Sequence, residues 1–156
     1  MTSDRSAEKQ ASASVLSACR GRSGCPHAAC TSASLIRDIS SKLEAADIPG
    51  FLSQSLSGPL RAHHSFKVAI AGCPNACSRP QIVDIGIICA VLPGISDAAC
   101  SKCGTCVTVC REKAIFLADL PPGPLLNPDR CLMCAQCIRN CPTGHLYSQQ
   151  KGFRVM

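Results

Sequence analysis

CSKCGTCVTVC, from Cys100 to Cys110, and CLMCAQCIRNCP, from Cys131 to Pro142, decide how the rest of the chain is read. Each carries the spacing Cys-x2-Cys-x2-Cys-x3-Cys, and the second run repeats the first 31 positions on, from Cys100 to Cys131. Two intervening residues let a backbone wrap a [4Fe–4S] cubane so that three thiolates reach three irons while amide N–H groups point at the sulfides. Zinc ribbons use pairs of cysteines set apart by a longer spacer, not two runs of four. A disulfide framework belongs to an oxidising compartment, and the start of the chain argues against one.

That start, MTSDRSAEKQASASVLSAC, carries Asp4, Arg5, Glu8 and Lys9 and lacks the apolar stretch of about 7 to 15 residues that a secretory signal needs. The tetrad Leu16-Ser17-Ala18-Cys19 resembles a lipoprotein cleavage site, but no apolar segment precedes it. Residues 1–14 are expected to be a disordered polar leader. The longest apolar stretch, Ile82 to Ile95, is interrupted by Asp84 and Pro93 and falls short of the roughly 18 residues of a membrane span. A cytoplasmic, metal-using protein is the expectation.

Fourteen cysteines in 156 residues, with no tryptophan and one tyrosine, mean that metal must replace part of a conventional core. The net charge of +6 comes from 16 basic and 10 acidic residues without a block of like charge. Nucleic-acid binders cluster their lysines and interleave aromatics; this pattern excludes that class and suits an acidic cofactor or an acidic docking partner.

Residues 96–148 resemble the bacterial two-cluster ferredoxin fold. In that arrangement the fourth cysteine of each run, expected to begin a short helix, ligates the other cluster. The assignment is therefore crossed: Cys100, Cys103, Cys106 and Cys141 for one cubane, and Cys131, Cys134, Cys137 and Cys110 for the second. The one departure is Arg111, where the proline that follows Cys141 is not repeated after Cys110. Pro121, Pro122, Gly123 and Pro124 break any helix in the connection.

Upstream, Cys19-x5-Cys25 and Cys73-x3-Cys77 add four more thiolates, the number one further cubane needs. Between them PHAACTSASLIRDISSKLEAAD predicts a helix opened by Pro26, with Leu35, Ile36, Ile39, Leu43 and Ala46 on one face and Ile48-Pro49-Gly50 as its end. Strands are expected near Phe66 to Ala71 and over VDIGIICAVL.

The pattern Gly72-Cys73-x3-Cys77-x6-Asp84-Ile85-Gly86-Ile87, preceded by Cys19-x5-Cys25, resembles the sirohaem and iron–sulfur signature of the sulfite and nitrite reductase family over residues 15–92. The resemblance implies a [4Fe–4S] on Cys19, Cys25, Cys73 and Cys77, with Cys77 also bridging to a sirohaem iron. Sirohaem is rich in carboxylates, and Arg20, Arg22 and Arg79 flank these cysteines as candidates to pair with them. Asn75 is expected to serve the turn backbone. Full reductases of the family are several times longer and use a separate N-terminal half to hold haem and substrate.

The fold expected is therefore α/β (α+β): a truncated sulfite/nitrite reductase-like iron–sulfur domain at 15–92, a two-cluster ferredoxin domain at 96–148, and a tail at 149–156. The function expected is an electron-transfer protein or redox subunit with three [4Fe–4S] clusters, working with a redox protein partner or a larger reductase subunit. The alternative is a sirohaem-containing part of a sulfite or nitrite reductase that another chain completes. Cys30, placed on the helix, and Cys89 are read as buried small hydrophobes, His63 and His64 as a surface pair, and His27 and His145 as packing residues beside ligand cysteines.

Overall fold

The strand β3, Ile85–Ile95, organises the molecule: its 11 residues are buried along nearly their whole length, as IGIICAVLPGI with apolar side chains on both faces requires of a central strand. The computed structural model describes residues 13–119 and 123–156. The strands β1 (Ser14–Ala18), β2 (Phe66–Ala71), β3 and β6 (Leu146–Val155) form one sheet in the order β1-β2-β3-β6. β1, β2 and β3 run parallel, whereas β6 returns antiparallel to β3. Pro93, with no N–H to give, sits where the register with β6 shifts.

Helix α1, Ala33–Ala45, covers this sheet. Its Leu35, Ile36, Ile39 and Leu43 pack on Val68, Ile70 and Ile87, the helical spacing expected from sequence. The helix starts seven residues later than Pro26, because the preceding residues form a loop in which the Ala28 N–H bonds Cys25 O at 3.1 Å and the Ala29 N–H bonds Gly72 O at 2.6 Å. Nor does Ile48-Pro49-Gly50 end it. Asp47 accepts the Gly50 N–H at 2.9 Å and opens α2, Ile48–Ser55, with Pro49 in its first turn.

The signature Asp84-Ile85-Gly86 has a structural meaning at both ends. Asp84 Oδ2 accepts the Lys67 N–H at 2.7 Å, tying the start of β2 to the entry of β3. A Cβ on Gly86 would lie 2.1 Å from the Pro80 carbonyl oxygen, so only glycine lets the preceding turn lie against the strand.

Beyond β3 the chain forms α3 (Thr105–Val109), the hairpin strands β4 (Ile115–Ala118) and β5 (Gly123–Leu126), and α4 (Gln136–Arg139) before it enters β6. The fourth cysteines end these two helices instead of beginning them: Cys110 is the C-terminal cap of α3, and Cys141 follows α4 by two residues. Residues 149–155, expected as a tail, are the last seven of the ten residues of β6, and the expected boundary between 92 and 96 lies at the end of β3. The reason is shared pairing, since Ile87 to Leu92 meet Val155 to Gln150 across the ladder. The leader lies outside the described residues up to residue 12, and Ser14 already belongs to β1. Among the described residues no helix is long and apolar enough to cross a membrane.

Candidate metal centres

Cys19 leaves the C-terminal end of β1 and Cys73 follows the end of β2, so two parallel neighbours deliver thiols to the same edge of the sheet, where open α/β sheets place their sites. Two glycines bring the turns into contact. A Cβ on Gly21 would lie 2.9 Å from Gly72 Cα and 3.2 Å from Cys19 Sγ. The same approach lets Cys19 Sγ accept N–H bonds from Gly21 at 3.3 Å and Gly72 at 3.1 Å.

Burial pushes the Cys73 thiol up; the Asn75 backbone N–H opposes this, and the charges of Cys77, Cys19 and Cys25 add to it. The four upstream thiols therefore share one electrostatic neighbourhood. Cys77 is its exposed member, and Asn75 Nδ2 donates to Cys77 Sγ at 3.0 Å. The turn role expected for Asn75 is thus joined by a direct bond to sulfur, which sequence alone does not reveal because it depends on the side-chain direction. Arg20, Arg22 and Arg79 are all exposed, on the two turns that carry Cys19 and Cys77.

In the C-terminal half, Cys100, Cys103 and Cys106 of the first run line one cavity together with Cys141 of the second. Cys137 of the second run is pushed up to about 12 by burial and by the thiols of Cys134, Cys131 and, from the first run, Cys110. The fourth cysteine of each run thus lies with the other run's first three.

The 31-residue repeat is visible in the backbone. Lys102 and Met133 have φ of 54° and 57°, Gly104 and Ala135 75° and 61°, and Lys113 and Gly144 52° and 69°. Left-handed conformations at non-glycine positions are costly, and here they turn amides toward sulfur. The N–H groups of Lys102 and Met133 bond Cys100 and Cys131 at 3.4 Å each, and those of Ala114 and Leu146 bond Cys110 and Cys141 at 3.2 and 3.4 Å. Thr105 Oγ1 reaches Cys103 Sγ at 3.3 Å, and this bond leads the lowering of that exposed thiol to about 7.

Among the described residues no three His, Cys, Asp or Glu side chains converge on the position of a single ion. Thiols that each bind a separate iron of a cubane stand wider apart than ligands of one ion. All-sulfur donor sets met by backbone N–H groups have the chemistry that [4Fe–4S] requires.

Cys30 and Cys89 lie outside the cysteine motifs, although Cys89 feels the charges of Cys19 and Cys73. Cys89 is fully buried in β3, as expected, and pushed up to about 12 by burial and by a hydrogen bond with Cys30; Cys30 is only half-buried and sits in the loop before α1, not on the helix. His145 is buried, with Nδ1 2.5 Å from Ala98 O. His27 is exposed, and His63 and His64 contact each other edge to face at 4.0 Å.

Residues 99–145 match the 4Fe-4S dicluster domain family. This stretch is an iron–sulfur domain of ferredoxin type. The chain is 48% identical over 54 residues to the coenzyme F420-dependent sulfite reductase of Methanocaldococcus jannaschii, covering 35% of this chain and 9% of that protein. It is 30% identical over 66 residues to an anaerobic sulfite reductase subunit from Salmonella typhimurium, covering 42% of this chain and 20% of that one. The chain thus spans a small part of the length of these curated relatives. The crystal structure of dissimilatory sulfite reductase I superposes with a TM-score of 0.52 at 18% identity, over 94% of this chain and 38% of that one. At that identity the likeness is one of fold, and it agrees with the mixed α/β class expected from sequence.

Proposed function

We propose that the chain is an electron-transfer protein or redox subunit holding three [4Fe–4S] clusters. Cys19, Cys25, Cys73 and Cys77 hold the upstream one, Cys100, Cys103, Cys106 and Cys141 the second, and Cys131, Cys134, Cys137 and Cys110 the third. The observation that carries this reading is the gathering of the motif thiols: the turns bearing Cys19 and Cys73 meet at Gly21 and Gly72, Cys141 lines the cavity of the first run, and Cys110 packs beside Cys137 of the second. Bound clusters supply one-electron storage. The chain's part is to donate N–H bonds to the sulfurs, which stabilise the extra negative charge of the reduced state. The names of the relatives support a larger reductase subunit as partner.

A second reading is favoured by the exposure of Cys77 beside the arginine-bearing turns. In it Cys77 would also serve as a ligand toward a sirohaem, Arg20, Arg22 and Arg79 would pair with its carboxylates, and the chain would be part of a sulfite or nitrite reductase completed by a partner.

Purification without oxygen, with iron, acid-labile sulfide and the visible spectrum measured on one sample, tests both. About twelve irons with only broad cluster absorbance support the first reading. One further iron with separate haem bands supports the second. Iron for two clusters or fewer refutes the upstream assignment.

A further inference from the structure

Arg139 ends helix α4, and its exposed guanidinium reaches both its own run and the upstream half. It donates to Ala28 O, to His27 O at 3.4 Å and to Cys134 O at 3.4 Å. His27 is two residues from Cys25 of the upstream group, and Cys134 belongs to the Cys110/Cys131/Cys134/Cys137 group. One planar fork thus joins the backbone of both thiol-bearing turns, a geometry that a guanidinium provides and an ammonium does not.

A second contact lies beside it. The buried Val91 of β3 donates its N–H to Met133 O at 2.8 Å and makes an isolated parallel bridge with Cys134. The first-run group meets the sheet elsewhere: Leu146, which lines its cavity, pairs with Ile95 at the far end of β3 from the Cys19 and Cys73 turns.

Resting on the three-cluster reading, we propose that Arg139 is the positioning residue that couples the Cys134 site to the upstream site. It makes the Cys110/Cys131/Cys134/Cys137 cluster the direct electron donor to the upstream one, with the Cys100/Cys103/Cys106/Cys141 cluster behind it. In that step one electron leaves a reduced [4Fe–4S]+ and arrives on an oxidised [4Fe–4S]2+; no bond is made or broken and no proton moves. Arg139 acts in two separable ways: the fork holds the turns together, and its positive charge favours the more negative, reduced state at both adjoining sites.

The test uses the full chain purified without oxygen, unvaried and as Arg139→Ala and Arg139→Lys. Iron and sulfide are measured first. Samples are then mixed with limiting dithionite and freeze-quenched for electron paramagnetic resonance, the signal missing from Cys77→Ser marking the upstream cluster. In Arg139→Ala the iron content is expected to hold, and the upstream signal to develop about tenfold more slowly as the clasped population falls. The midpoints of the two adjoining clusters move negative while that of the third stays. Arg139→Lys, keeping the charge, restores the midpoints but not the rate. Hydrogen exchange at residues 26–30 rises in both variants. An unchanged upstream rate at full iron content overturns the role of Arg139 and leaves the cluster reading intact. Too little iron in the unvaried protein overturns the cluster reading, and this inference with it.

Discussion

Gly21→Ala probes the contact on which the upstream site depends. The added methyl would stand 2.9 Å from Gly72 Cα and 3.2 Å from Cys19 Sγ, and the first of these is backbone that has no rotamer by which to move aside. The two turns must part by several tenths of an ångström, which stretches the 3.1 Å bond from the Gly72 N–H to Cys19 Sγ. Forced overpacking costs about 1–3 kcal/mol and the lost bond about 0.5–1.5 kcal/mol, so the site is destabilised by roughly 2–4 kcal/mol. That is enough to lower its affinity for a cluster by a factor of about 30 or more. Iron should fall from about twelve atoms toward eight while the dicluster signals persist. Gly24→Ala is the control. Gly24 has φ of +98° but no atom within 4 Å of its Cβ position, so it carries backbone strain of about 1–2 kcal/mol without a clash at the thiols. It should retain its iron. Full iron in Gly21→Ala, or equal loss in the two variants, would refute the claim that glycine contact assembles the upstream group.

Three further outcomes follow from the same geometry. Cys77→Ser should remove one cubane, about four irons, and leave both C-terminal clusters spectroscopically unchanged; a loss of more than one cubane, or of none, contradicts the ligand sets. Asn75→Ala removes the 3.0 Å donor to Cys77 Sγ without removing a thiol. Its iron content should stay constant while the upstream midpoint moves negative in a redox titration, and an unmoved midpoint argues that the bond has no electronic role. Removing all iron should loosen residues 100–145 in hydrogen exchange while Val68 to Ala71 and Ile87 to Val91 stay protected; equal loosening of both would show that the sheet, too, depends on metal.

The spacing of the C-terminal runs made their half legible, because Cys-x2-Cys-x2-Cys-x3-Cys prescribes local backbone geometry and the repeat recurs as paired positive φ values at Lys102 and Met133. The face of α1 was legible for a similar reason, since Leu35, Ile36, Ile39 and Leu43 obey the helical period. What lay beyond sequence was whatever long-range pairing decides. Ser14–Ala18 is a strand because it finds β2 some fifty positions later, with Ser14 opposite Phe66. QQKGFRVM, from Gln149 to Met156, reads as a tail until β3 offers it an edge. Arg139 shows no motif at all; its meaning is set by carbonyls 111 and 112 positions away.

The return of β6 explains how a chain so poor in aromatic residues keeps two cysteine-rich halves in one fold. The apolar cluster of the C-terminal half is small, Ile115 and Leu146 with the thiols Cys106 and Cys137, so cysteines there serve as core and donor at once. Such a half gains little from burial alone and must be held by metal and by its neighbours. β6 supplies the neighbour: it leaves the Cys141 turn at Leu146, pairs Ile95 and then runs back along β3 as far as Val155 opposite Ile87, next to the residues that pair with β2. The strand that closes one cluster turn therefore also completes the sheet that carries the upstream thiols. The two halves thus share one hydrogen-bond ladder, and its register, with the Arg139 fork, sets how the cysteine-bearing turns lie relative to one another.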